Sequence, residues 1–171
     1  DLAIASMIVK EGRGLVFALN KWDTMASDKD RHRLMNEAIK IIETKAPQVK
    51  GCPIVPISAL YSRNIDKVID ACLSVYDEWN RYIKTSDLNN WLRNIEAEHT
   101  PPLYRGHPVR LKYITQAKKR PPTFVIFSNS PERLEKTSYS KFIINRLRDD
   151  FGLKNTIVRL LLRKSDNPFD K

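Results

Sequence analysis

The pattern of apolar positions changes character near the middle of the chain. In the first part, apolar residues recur at helical spacing from Asp1 to Lys10 (Leu2, Ile4, Ala5, Ile8, Val9). Gly12 and Gly14 then punctuate the sequence before a continuous apolar run, Leu15 to Leu19. Such a run predicts a strand buried on both faces. A polar stretch with a candidate cap at Ser27 or Asp28 leads into a helix with Leu34, Ala38, Ile41 and Ile42 on one face, stopped by Pro47. Pro53 to Ile57 predicts a second buried strand. Asn64 is placed to cap a long amphipathic helix with Ile65, Val68, Ile69, Cys72, Leu73, Tyr76 and Ile83 on its inner side. Helix, strand, helix, strand, helix with near-continuous apolar strands is the pattern of a parallel α/β sheet.

Past residue 85 the period shifts. Asp87 to His99 reads as a helix with Leu88, Trp91, Leu92 and Ile95 on one face, ended by Pro101-Pro102. Arg110 to Thr115 and Thr123 to Ser128 read as two strands of a hairpin joined by a basic turn, Gln116 to Arg120. Ser138 is the expected cap of a helix bearing Phe142, Ile143, Leu147 and Phe151, closed by Gly152 with Leu153 packing behind it. Thr156 to Arg163 alternates Val158, Leu160 and Leu162 with arginines and reads as a last strand. The order α-β-β-α-β predicts an α+β module, so the expected organisation is residues 1–85 as an α/β unit and 86–171 as an α+β unit.

Charge reinforces that division. The chain of 171 residues has a net charge of +10. Residues 1–85 carry 13 Lys and Arg against 11 Asp and Glu, and residues 86–171 carry 17 against 9, so the excess lies in the second unit. Clustered cations attract phosphate backbones through counterion release, which points to a nucleic-acid partner there. No run of eighteen apolar residues and no signal-peptide pattern is present, so the expectation is a soluble cytoplasmic protein with no membrane partner. Cys52 and Cys72 lack metal-ligand spacing and read as reduced core thiols. His32, His99 and His107 likewise have no ligand-like spacing, so no metal site is assigned.

The chemistry concentrates at the ends of the two predicted parallel strands. Leu19-Asn20-Lys21-Trp22-Asp23 puts an NKxD sequence at the carboxyl end of the first, where open α/β sheets bind ligands. A carboxylate there can accept from two adjacent donors, and guanine presents such a pair, N1–H and the exocyclic amine, whereas adenine does not. Leaving the carboxylate unmatched against the wrong base is a polar mismatch that discriminates strongly. Lys21 can lay its aliphatic stem on the base, and the Asn20 amide can fasten neighbouring loops. The second strand ends in Ser58-Ala59-Leu60, again a small polar residue and exposed backbone.

Strand-NKxD, helix, strand-SAL, helix resembles the fourth and fifth motifs of the Ras-like GTPases. The resemblance implies that Asp23 reads the guanine edge, Lys21 covers the base, Asn20 braces the site and the Ser58-Ala59 backbone meets the guanine oxygen. None of the five glycines fits GxxxxGK[ST], and no DxxG occurs within residues 1–85, so phosphate and magnesium ligands are expected outside this stretch. The chain then reads as part of a longer protein. Alone it is expected to hold neither GTP nor GDP tightly, to contain no catalytic residue and to be inactive, with a truncated sheet exposing an apolar edge and face.

In the second unit, Lys119-Arg120-Pro121-Pro122-Thr123-Phe124, Asn145-Arg146-Leu147-Arg148, and Arg159 to Lys164 followed by Asn167-Pro168 bring the whole chain to resemble the EngA (Der) family. That resemblance implies the end of a second GTPase domain followed by a KH-like domain. It further implies a bacterial GTPase of ribosome biogenesis using GTP/GDP and Mg2+, maturing the large (50S) subunit and touching ribosomal RNA. No pair of glycines has the GxxG spacing by which KH domains grip backbone. The candidate RNA contacts are therefore Lys118, Lys119 and Arg120 in the turn and Arg110, Arg159 and Arg163 on strands, with Tyr113 or Phe124 as stacking rings. The competing expectation is that the KH-like domain serves as an intramolecular partner of the G domains.

Overall fold

The computed structural model describes residues 2–25, 27–46, 49–103, 106–135 and 137–165. Pro47 and the pair Asn167-Pro168 lie outside the described residues. The chain forms two compact units, Asp1–Asn80 with Lys154–Ile157, and Arg81–Leu153 with Val158–Lys171.

The first unit contains α1 (Leu2–Lys10), β1 (Phe17–Leu19), α2 (Asp28–Lys45), β2 (Ile54–Pro56) and α3 (Ile65–Asn80). The strands pair in parallel, with Phe17 opposite Ile54, Ala18 opposite Val55 and Leu19 opposite Pro56. Ser27 caps α2, its hydroxyl accepting from the Asp30 amide at 3.2 Å. Ala5 and Val9 of α1 meet Ile42, Ala46, Val49 and Cys52 in a core that Phe17 and Ile54 join. Glu78 is buried and accepts from both the backbone and side-chain amides of Asn155, at 2.6 and 2.7 Å, which explains why residues 154–157 belong to this unit.

Several expectations for this unit are corrected. The first strand is not buried on both faces, because β1 is half-buried with Ala18 exposed. The apolar side of α3 does not face inward. Val75 is buried, while Ile65, Ile69, Leu73 and Tyr76 are exposed, Leu73 by 58%, and Cys72 is exposed with them. A two-stranded sheet is too narrow to cover so broad a stripe, so only the part centred on Val75 finds cover. Ile83 lies beyond the end of α3, in the core of the second unit. Asn64 stands in the left-handed region at φ 59°, and its side-chain amide donates to the Pro56 carbonyl at 2.9 Å. It thus holds the end of β2.

The second unit contains α4 (Thr85–Glu98), β3 (Leu111–Lys118), β4 (Thr123–Ser128), α5 (Ser138–Asp150) and β5 (Arg159–Lys164). The sheet order is β3-β4-β5, antiparallel in the first pair and parallel in the second, which is the expected α-β-β-α-β module. Leu88, Leu92 and Ile95 of α4 and Ile143 and Leu147 of α5 pack with Ile114, Phe124 and Ile126 on one sheet face. Gly152, at φ 63°, turns the chain after α5 so that the Leu153 amide donates to the Arg148 carbonyl at 2.8 Å and Leu153 is fully buried.

Three boundaries move. β3 runs to Lys118, so the connection to β4 is residues 119–122 and not the expected Gln116 to Arg120. Gln116 instead accepts from the Ile83 amide and donates to the Arg81 carbonyl, both at 2.8 Å. The cap of α5 is Thr137, whose hydroxyl accepts from the Ser140 amide, and the last strand begins at Arg159.

Tyr139 is buried in this core, and its hydroxyl donates to the His99 carbonyl at 2.9 Å. Burial, with the Glu96 carboxylate adding to it, pushes its pKa up to about 12. The folded protein therefore holds the phenolic proton more tightly than the unfolded chain, whose value is the ordinary 10.0. The stabilisation is complete below pH 10 and is lost as pH rises through about 12. The gap in unfolding free energy between the unaltered protein and Tyr139→Phe should shrink across that window in urea titrations. A gap independent of pH would contradict this.

Candidate functional site

The parallel register brings the carboxyl ends of β1 and β2 side by side. Beyond Leu19 the chain passes Asn20 and Lys21 into a short 3-10 turn, Trp22–Thr24, and the Trp22 amide donates to the Ile57 carbonyl at 3.0 Å. Lys21 takes the left-handed conformation at φ 63°, uncommon for a residue with a side chain and concentrated at functional loops. The Asn20 carboxamide oxygen accepts from the Lys21 amide at 2.7 Å and from the Ala59 amide at 3.0 Å. One side chain thus fastens the NKxD loop to the loop after β2. Asn20, Lys21, Asp23, Ser58 and Ala59 are gathered in one place.

Ser58 is buried and builds its own loop. Its backbone pairs with Arg63 in both directions, at 3.2 and 2.9 Å, and its hydroxyl accepts from the Tyr61 amide at 3.4 Å. Asp23 borders an open hollow of about 260 Å³ together with Trp22, Ser58, Arg31 and Arg63. The roles of two residues here are not evident from the sequence. Arg31 spans Asp28, at 2.7 Å, and the Met25 carbonyl, at 3.4 Å, so it ties the segment after Asp23 to the first turn of α2. Asn64 does the same for β2, and only its tendency to adopt the left-handed region could have signalled that.

In the second unit the sheet has one face in the core and one turned away from it. Gln116, Phe124 and Leu160 share a cross-strand row, as do Ile114, Ile126 and Leu162, and these rows lie against the helices. The opposite face carries Lys118, Thr123 and Arg159 in one row, Thr115, Val125 and Leu161 in the next, and Tyr113, Phe127 and Arg163 in the third. Lys118, Arg159 and Arg163 therefore share a face. Lys119 and Arg120 lie in the turn, with the Lys119 ammonium 5.4 Å from the Tyr82 ring centre, and Arg110 precedes β3 at the other end of the sheet. The two ends are roughly 17 Å apart along β4, at about 3.3 Å per residue.

Phe124 cannot serve as a stacking ring, because it is 0% exposed in the core. The exposed ring is Tyr113, and the aromatic beside it is Phe127, at 5.9 Å between centroids. Phe127 was missed, although it lies three residues from Phe124 and so on the opposite face of a strand. Among the described residues no group of three His, Cys, Asp or Glu is placed to hold a metal ion, and no helix is long and apolar enough to cross a membrane.

Residues 82–163 match the family described as the KH-domain-like of EngA bacterial GTPase enzymes, C-terminal. Over 170 residues the chain is 44% identical to the GTPase Der of Rickettsia akari (strain Hartford) and 42% identical to that of Rickettsia typhi (strain ATCC VR-144 / Wilmington). In both cases 99% of this chain is covered, but the chain spans only 38% of the length of the relative.

Replacing Asn20 by alanine would free the Ala59 amide and release the two loops from each other. Hydrogen exchange at Ala59 should accelerate in Asn20→Ala, with a loss of about 1 kcal/mol in stability. Unchanged exchange at Ala59 would remove Asn20 as the fastener.

Proposed function

Because the chain belongs to the EngA (Der) family of bacterial GTPases, we propose that it is the carboxy-terminal portion of a GTPase acting in ribosome biogenesis, in maturation of the large (50S) subunit. In this reading residues 1–85 are the guanine-reading part of a G domain, and residues 86–171 contact ribosomal RNA. The observation that carries it is the juxtaposition of Asn20, Lys21 and Asp23 with Ser58 and Ala59 at two parallel strand ends, joined through the Asn20 side chain.

Asp23 accepts from guanine N1–H and the exocyclic amine, while the Lys21 stem covers the base. The Ala59 amide, held by Asn20 in this structure, turns in part to the guanine oxygen when nucleotide arrives. The residues of the first unit do not fit the phosphate and Mg2+ end of the nucleotide, since the chain has no GxxxxGK[ST] and its one DxxG, Asp149 to Gly152, closes α5 of the second unit. Those ligands belong to the rest of the full-length protein, which binds GTP/GDP, works in the bacterial cytoplasm and associates with the ribosome. The exposed apolar stripe of α3 supports a further covering segment of the same G domain.

The RNA reading rests on the cationic sheet face and turn. RNA binding through Arg110, Lys118, Lys119, Arg120, Arg159 and Arg163 should weaken steeply between about 50 and 200 mM salt. A KH-like domain serving only as a partner of the G domains would bury an apolar interface and respond weakly to salt. Changing Lys118, Lys119 and Arg120 together to alanine should weaken RNA binding and flatten the salt slope, and unaltered binding would move the contact elsewhere.

In the full-length protein, Asp23→Asn should reduce the preference for guanine over adenine nucleotides by on the order of a hundredfold or more, with a smaller effect on stability. Unchanged selectivity would refute the role given to this loop. The 171-residue chain alone should turn over no GTP.

A further inference from the structure

Resting on the RNA reading above, we infer that the sheet face turned away from the helices is a stacking platform for single-stranded RNA, with an unpaired base lying on Tyr113. Three observations converge on it. The rows of this face hold three basic residues, Lys118, Arg159 and Arg163, and the strands β3, β4 and β5 contain no Asp or Glu. Tyr113 is 42% exposed on this face, and its neighbouring ring is Phe127, half-buried at 5.9 Å and tilted by 44°. The row that holds the two rings ends in Arg163, and the next row presents the exposed Leu161.

An aromatic ring buttressed on one side by a second ring, and open on the other, offers a flat apolar surface at little conformational cost. Cations arranged around it without a competing carboxylate suit a polyanion that also has planar apolar faces. RNA with unpaired bases has both properties, since every base has a face to stack and every linkage a phosphate to neutralise. A duplex presents phosphates to the same cations but keeps its base faces stacked inside, so it would use the charge and not the ring.

The geometry also divides the work along the sheet. Tyr113, Phe127 and Arg163 lie at one end, with Lys112, whose ammonium donates to the Ser165 hydroxyl at 3.1 Å, beside them. Lys118 and Arg159 lie at the other end, next to the turn bearing Lys119 and Arg120. A strand running along the face would stack at the first end and be held by phosphate contacts toward the second.

The test measures binding of a fluorescent single-stranded oligoribonucleotide, and of the duplex of the same sequence, to the full-length protein over a salt series. Tyr113→Ala should weaken the single strand about tenfold and leave the duplex and the salt slope unchanged. Tyr113→Phe should retain the unaltered affinity, and Tyr113→Leu, which keeps apolar bulk without a π face, should behave as the alanine variant does and carries the test if that variant fails to fold. Arg163→Ala should weaken both RNAs and reduce the salt slope by about one. Loss of affinity equal on single strand and duplex, or no loss on either, overturns the platform while leaving the RNA reading intact. Absence of RNA binding by the unaltered protein overturns the RNA reading itself.

Discussion

The parallel register of β1 against β2 is the constraint on which the candidate site at the strand ends depends. With Leu19 opposite Pro56, both chains leave the sheet at the same end and at the same level. The two loops that follow then lie within reach of a single carboxamide, and Asn20 closes the gap to Ala59. A slip of one residue would turn the strand faces over and carry Asn20 away from Ala59, so the fastener reports the register as much as the site. The left-handed turn at Lys21 has the same origin. The chain must reverse sharply within one residue of the strand end to give its amide to Asn20 and begin the turn that carries Asp23.

The second unit solves a different problem, that of a three-stranded sheet with two free edges. At the β3 edge, α4 supplies the missing partner. The Asn89 side chain accepts from the Ile114 amide and donates to its carbonyl, at 3.0 and 2.9 Å, and Glu96 accepts from the Leu111 amide at 3.0 Å. A helix thereby stands in for a strand, and the edge is satisfied without an extra element. This docking also fixes which sheet face the helices occupy. Because α4 and α5 both pack on one side, the charged and aromatic residues of alternate parity are left together on the other.

Local pattern was a good guide where one period dominated. Every α-helix and strand in the described residues was foreseen within a few residues, though the 3-10 turns were not, and the NKxD and SAL loops were placed at strand ends because an apolar run followed by a polar turn has few other interpretations. Burial was less legible. The α3 stripe from Ile65 to Tyr76 has the spacing of an inner face, yet spacing shows only that a face is apolar and not that anything lies over it. The choice of Phe124 over Phe127 failed for a related reason, since both suit a strand and only cross-strand pairing decides which one meets the core. The roles of Asn64 and Arg31 depend on contacts made by loops, where no periodicity applies.

The two units differ in how much of their apolar surface is covered, and that difference bears on what can be learned from each. Among the described residues the second unit gathers fifteen buried residues in its core and the first only six, mostly small. Ile65, Ile69, Leu73 and Tyr76 remain outside the smaller core. Fully burying a large apolar side chain contributes about 1.5–3 kcal/mol, so covering these four, each about half exposed, represents roughly 3–6 kcal/mol, comparable to the whole stability of a marginal domain. Whatever lies over that stripe therefore governs how firmly β1 and β2 are held, and through them the distance that Asn20 spans. A change in the NKxD loop measured in the 171-residue chain would register this open face as well as the loop, whereas the second unit, with its own core, can be read on its own terms.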